Sequence, residues 1–146
     1  MADGLFVLIL LVAATTLERL EQRPFVATRM GELVAVVLGG IPLRLEEALP
    51  YRLLEVRRLP GVGFRPAAQT WGELVLVVRG HGSARLLAHE ACHVRQFQRL
   101  TSFGLWARYL GQWLGGLIRH RNLFLAYWTM GLEVEARAAE TGAYPA

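Results

Sequence analysis

The sequence predicts an α+β fold, and three observations carry that prediction. Apolar residues recur at helical spacing at both ends of the chain, while a proline-punctuated middle holds short strand-like runs. The order is helices, then a small sheet, then three helices, rather than a strand–helix alternation. A length of 146 residues suits a single domain, 1–146, able to bury a core without disulfide staples.

Taken in order, Leu5 to Leu20 reads as a mostly buried helix closing in the charges Glu18, Arg19 and Glu21, and Pro24 breaks it. Its stretch Leu5–Ala14 is uncharged and apolar, but shorter than the ~18–20 residues that span a bilayer. Asp3 stands where a signal peptide would carry positive charge. Residues 1–22 are therefore expected to form a backing helix, with membrane contact through residues 5–17 as the alternative. Met30, Leu33, Val34, Val37 and Leu38 share the face of a second helix, stopped by Gly39-Gly40. "AAQTWGELVLVVRG" reads as a hairpin, with a strand to Thr70, a turn near Trp71-Gly72 and a strand from Leu74 to Val78. Ser83 is placed to cap the next helix, whose apolar side carries Leu86, Leu87, Ala91, Val94, Phe97 and Leu100. A further helix carries Phe103, Trp106, Tyr109, Leu110, Trp113 and Leu117, and the last runs from about Leu123 to Glu140.

Composition narrows the function. Apolar residues make up 53% of the chain, which implies a greasy interior, a covered partner surface or lipid contact; a homo-oligomer fits the same excess. The net charge of +4 comes from arginine alone. Those arginines are spread from Arg19 to Arg137, so no nucleic-acid-binding stripe is formed. Cys92 is the sole cysteine, which rules out an internal disulfide framework and a cysteine-based zinc site. It fits a reducing compartment, so a cytoplasmic location is expected, with membrane association as the alternative.

The chemistry concentrates in "LLAHEACHVRQ", residues 86–96. On a helix His89 and His93 lie one turn apart on one face, and both can offer a ring nitrogen to one ion. Glu90, one position along, points beside that ion. A catalytic zinc lowers the pKa of its bound water to about 7, and a neighbouring carboxylate can take the proton and hand it to a leaving amine. His89 and Glu90 also interrupt an apolar approach, where polar groups are costly without partners. A third protein ligand is needed. The positions of a third histidine in an HExxHxxGxxH arrangement are not filled, since 96 is Gln and 99 is Arg. "MGLEVEARAAE" offers Glu133, Glu135 and Glu140 on a helix that can fold back, with Glu133 and Glu140 sharing a face and Glu135 pointing away. Ala136, Ala138 and Ala139 would let this helix pack closely.

With "LLAHEACHVRQFQRL" followed by "GLEVEARAAE", and "AAQTWGELVLVV" ahead of both, the chain resembles the gluzincin branch of the zincin metallopeptidases, particularly small bacterial single-domain members. The resemblance covers about residues 66–140. It implies a zincin-like fold: a small twisted sheet, an active-site helix, a glutamate-bearing helix and N-terminal backing helices. It also implies zinc held by His89, His93 and Glu133, with Ala136 as the small residue three positions after the glutamate and Glu135 as the fallback ligand. Glu90 would be the catalytic base in hydrolysis of a peptide or protein substrate. The strand Leu74–Val78 would be the sheet edge that holds the substrate, the alternative being a core strand. Tyr109, Tyr127 and His120 are the candidates for steadying the oxyanion. The chain departs from the pattern at Arg137, where several such families place an Asp or Asn that buttresses a zinc-bound histidine; Arg137 cannot accept a hydrogen bond. That support is expected from Glu140 or a backbone carbonyl.

The remaining candidates have plainer readings. Cys92 is expected in the core, His81 exposed in its Gly-His-Gly turn, and His120 on the surface at a helix end. Trp106, Tyr109 and Trp113 are expected to pack in the core, the alternative being a membrane-facing or substrate groove. The leading expectation is a zinc-dependent peptidase. The alternative is a zinc-stabilised interaction domain without turnover.

Overall fold

The run from Leu74 to Val78 has no polar face, and the computed structural model buries it from both sides; residues 2–42, 49–61 and 65–142 are described. This run is β4 (Leu74–Val78), in a sheet with β1 (Ile41–Pro42), β2 (Arg52–Val56) and β3 (Ala68–Trp71). The spatial order is β1-β2-β4-β3. β4 runs parallel to β2, with Leu54 opposite Leu76, and antiparallel to β3, with Thr70 opposite Val75. The helices among the described residues are α1 (Ala2–Glu21), α2 (Phe25–Val37), α3 (Ala84–Leu100), α4 (Ser102–His120), α5 (Leu123–Trp128) and α6 (Gly131–Ala139). The class is α+β, as the sequence predicts.

The two faces of β4 explain its composition. Val75 and Val77 pack with Tyr51, Leu53 and the α3 residues Leu87 and Val94. Leu74 and Leu76 pack on the other side with Val56, Leu59 and the α2 residue Ala35. The sheet is thus a middle layer between α2 and α3, and a strand covered twice has no use for alternation. At about 1.5–3 kcal/mol for each fully buried aliphatic side chain, this strand anchors the scaffold that carries α3.

The β3–β4 turn falls at Gly72-Glu73, one residue later than expected, with Gly72 at φ +64°. A Cβ on Gly72 would meet Thr28 Oγ1 at 2.3 Å and the Pro24 carbonyl at 2.6 Å, so the turn and α2 approach closely only because it is glycine. The Glu73 N–H donates to Thr28 Oγ1 at 2.9 Å, which docks the hairpin tip on α2.

Three expectations are corrected. Leu74–Val78 is not the sheet edge: β2 pairs with it in parallel, and β3 is the outer strand next to it. The expected helix Leu123–Glu140 is two helices, because Met130 takes extended backbone to bury its side chain and α6 starts afresh at Gly131. The burial expected for Leu5–Leu20 holds at Glu18 but not at Val7–Val12, each at least 38% exposed and together covering every side of α1. The side chains of Leu5 and Phe6 lie outside the described residues. Among the described residues no helix is long and apolar enough to cross a membrane.

Glu18 is the anchor of α1. Its carboxylate accepts from the Ser102 N–H at 2.7 Å, the Ser102 hydroxyl at 2.6 Å and the Val26 N–H at 2.8 Å. One buried side chain thereby satisfies donors at the N-termini of both α2 and α4. Glu18→Ala leaves those donors unsatisfied and is expected to cost about 3 kcal/mol. That corresponds to a thermal midpoint about 10 °C lower in a chain of this size, readable by circular dichroism. An unchanged midpoint would remove Glu18 from this role.

Candidate metal centre

Ser83 caps α3 by accepting from the Leu86 N–H, so the helix is already regular where it presents His89 and His93. Their rings meet edge to face, and the two Nε2 atoms stand 3.1 Å apart. Glu133, near the start of α6 and only 2% exposed, faces both. Its Oε2 lies 3.5 Å from His89 Nε2 and its Oε1 3.5 Å from His93 Nε2. Three donors from two helices therefore converge on one point.

Each imidazole is oriented from behind. His89 Nδ1 donates to Glu140 Oε1 at 2.9 Å, and Glu140 Oε2 is in turn held by Arg85 Nε at 2.6 Å. His93 Nδ1 donates to Gln96 Oε1 at 2.8 Å. The direction of the Gln96 amide is set by its NH2 group, which donates to the Leu132 carbonyl and to Glu135 Oε2, both at 3.0 Å. With both Nδ1 atoms engaged, both Nε2 atoms are turned toward Glu133.

The electrostatics follow from burial against charge. Burial opposes a charged His89, but the Glu133 carboxylate facing it, the charge of Glu90 and the Glu140 contact outweigh it and raise its pKa. Burial would likewise raise the Glu133 pKa; His89, His93 and Tyr127 outweigh it and hold that carboxylate below its ordinary range. Glu140 is held low too, where Arg85 and His89 overcome a desolvation that pushes upward. The cluster is an ionised carboxylate beside His89, whose imidazole attracts a positive charge.

Whether these residues fit a divalent ion can be tested on the geometry. Glu133 Oε2 is buried and has no hydrogen-bond partner, an arrangement that is costly unless something else pairs with it. Two imidazoles and a carboxylate are a donor set of catalytic zinc sites. Tetrahedral ligands at about 2.0–2.1 Å from zinc are about 3.3–3.4 Å from one another. The observed separations of 3.1, 3.5 and 3.5 Å bracket that value. The residues fit zinc.

Glu90 is buried beside the cluster, and the Thr70 hydroxyl of β3 donates to its Oε2 at 2.6 Å. All of β3 lines a cavity of about 620 Å³ that also reaches His89, Glu90, His93 and Glu133. Trp106, Tyr109 and Trp113 wall this cavity, and Trp106 and Tyr109 also pack against the core of Ala27, Phe97, Leu105 and Leu132, as expected. The Tyr109 hydroxyl donates to Glu133 Oε1 at 3.2 Å, and Tyr127 also hydrogen-bonds Glu133. Burial and then the Glu133 charge push both tyrosines far above their ordinary pKa, so both stay protonated.

The structure brings His89, Glu90, His93 and Glu133 together and sets Glu140 behind them. Glu135 is not among them, for it pairs with Gln96 and with Arg99 at 3.2 Å; the fallback ligand is thereby excluded. His120 does not line the cavity, and Arg137 stacks over Trp128 at 4.0 Å. Cys92 is buried and His81 exposed, as expected. Gln96 and Thr70 were missed. Gln96 had a signal, since i and i+3 share a helix face with His93; Thr70 had none, because its reach to Glu90 crosses from sheet to helix.

Outer partners of metal ligands are worth about 10–100-fold in metal affinity. Glu140→Ala and Gln96→Leu should each weaken zinc binding by about that factor, measured by competition with a chromophoric chelator. Affinities equal to the parent's would show that neither side chain orients a ligand.

No family model, curated protein or solved structure matches the chain.

Proposed function

We propose that the chain is a zinc-dependent peptidase of the gluzincin type, with His89, His93 and Glu133 as ligands and Glu90 as general base. The observation that carries this reading is the convergence of three donors beside a second buried carboxylate, in the wall of a cavity that follows a strand. Structural zinc sites close the ion with four protein ligands, whereas catalytic ones keep three and an open position. Zinc bound there would polarise a substrate carbonyl and lower the pKa of a coordinated water toward about 7.

The residues of the chain then divide the work. An extended substrate pairs along β3, the outer strand, which places its scissile carbonyl over α3. Glu90 accepts the proton of the attacking water and delivers it to the nitrogen that departs as an amine. Thr70 fixes the direction of the Glu90 carboxylate, and the apolar walls from α4 keep bulk water away. A domain that used zinc only to fasten α3 to α6 would need neither that cavity nor a buried Glu90 opening into it.

The test is digestion of a broad peptide library by zinc-loaded, chelator-treated and zinc-restored protein. Cleavage in the first and third only supports the peptidase. Stoichiometric zinc uptake with no cleavage of any peptide would favour the interaction domain.

A further inference from the structure

A second surface, distinct from the ligands, has a definite chemistry. α4 and α5 form a tight hairpin: Gly116 sits so close to α5 that a Cβ there would meet Ala126 Cα at 2.9 Å. Along the side of α4 turned away from α5, Leu110, Leu114 and Ile118 follow one another at four-residue spacing, and Leu123, Phe124 and Trp128 are exposed on α5. These six side chains are between 44% and 80% exposed. A row of exposed aliphatic side chains along one helix marks a contact surface.

Charge says what kind. From residue 91 to residue 132 the sequence holds no Asp or Glu, but it places Arg108, Arg119 and Arg121 on the hairpin. Arg108 and Arg119 are three helical turns apart and lie on the same border of the apolar ridge. All three are exposed, and none forms an ion pair among the described residues. Arg137 adds a fourth cation at the Trp128 end. A two-fold contact with a second copy would set these arginines against one another with no carboxylate between them. An anionic lipid surface complements both features, taking the apolar ridge into its acyl boundary while the arginines reach the headgroups. The projecting apolar half of α1 is an independent sign that lipid is the solvent on part of this molecule.

We propose that the outer ridge of α4 docks on an anionic membrane surface. Leu110 belongs both to the ridge and to the cavity wall, so docking sets the cavity mouth at the lipid boundary. The docking does not depend on the peptidase reading.

Flotation of the full chain with vesicles tests it, using phosphatidylcholine alone and phosphatidylcholine mixed with phosphatidylglycerol. The parent should float with the mixed vesicles, less so as salt screens the charges. Arg119→Ala with Arg121→Ala should lower partitioning onto mixed vesicles by about thirtyfold, roughly fivefold for each arginine near an anionic surface, and leave the neutral vesicles unaffected. Leu114→Glu with Ile118→Glu should lower it at least as far, with circular dichroism and zinc uptake unchanged. A parent that stays at the bottom of the gradient overturns the proposal, as do variants that float like the parent. So does a dimer, seen by light scattering, that the Leu114→Glu, Ile118→Glu chain no longer forms while neither protein binds vesicles.

Discussion

Glu90→Gln is expected to bind zinc as the parent does and to lose about 10²–10⁴-fold in peptide hydrolysis, the range that a positioned general base contributes. The substitution keeps the volume and the acceptor for the Thr70 hydroxyl while removing the group that takes a proton. Its effect therefore falls on the turnover number rather than on metal content or folding. Zinc content and cleavage rate measured on the same sample separate these. A variant that cleaves as fast as the parent would exclude Glu90 as the base.

Glu133→Ala is expected to have the largest effect on the metal. It removes the one carboxylate that faces both Nε2 atoms and leaves two imidazoles, fewer than the three protein ligands of catalytic zinc sites. The loss in zinc affinity should exceed the about 100-fold upper range for removing an outer partner, and hydrolysis should disappear with the metal. Because the ionised Glu133 is what draws positive charge to His89, the His89 imidazole should also protonate less readily in the metal-free variant, readable by proton NMR of its ring. Zinc affinity close to the parent's would mean that the third ligand lies elsewhere.

How much of this could be read from the residues depends on the range of the contacts. His89, Glu90 and His93 sit on one helix, so their relation follows from helical spacing and nothing else. Glu140 behind His89 was within reach of the same reasoning, since it shares a face with Glu133 seven positions earlier. The choice of Glu133 over Glu135 needed the likeness of "GLEVEARAAE" to a known pattern; in the fold the reason is visible, as Arg99 and Gln96 hold Glu135 to one side. What stayed hidden was non-local. The run from Leu74 to Val78 looks the same whether it lies at an edge or inside a sheet, and only the parallel pairing with β2 decides it. Thr70 reaches Glu90 across two elements, and Glu18 caps two helices that are distant in sequence. The exposure of Val7–Val12 went against composition, because an apolar run says that water is disfavoured and not what replaces it.

Anomalous diffraction at the zinc edge, from crystals grown with one equivalent of zinc, tests the metal centre most directly. The expected result is a single strong peak within about 2.0–2.2 Å of His89 Nε2, His93 Nε2 and a Glu133 carboxylate oxygen, with one coordination position open toward the cavity. A peak at any other group of side chains, or a Glu133 turned away from an ion held by the two histidines, would contradict it.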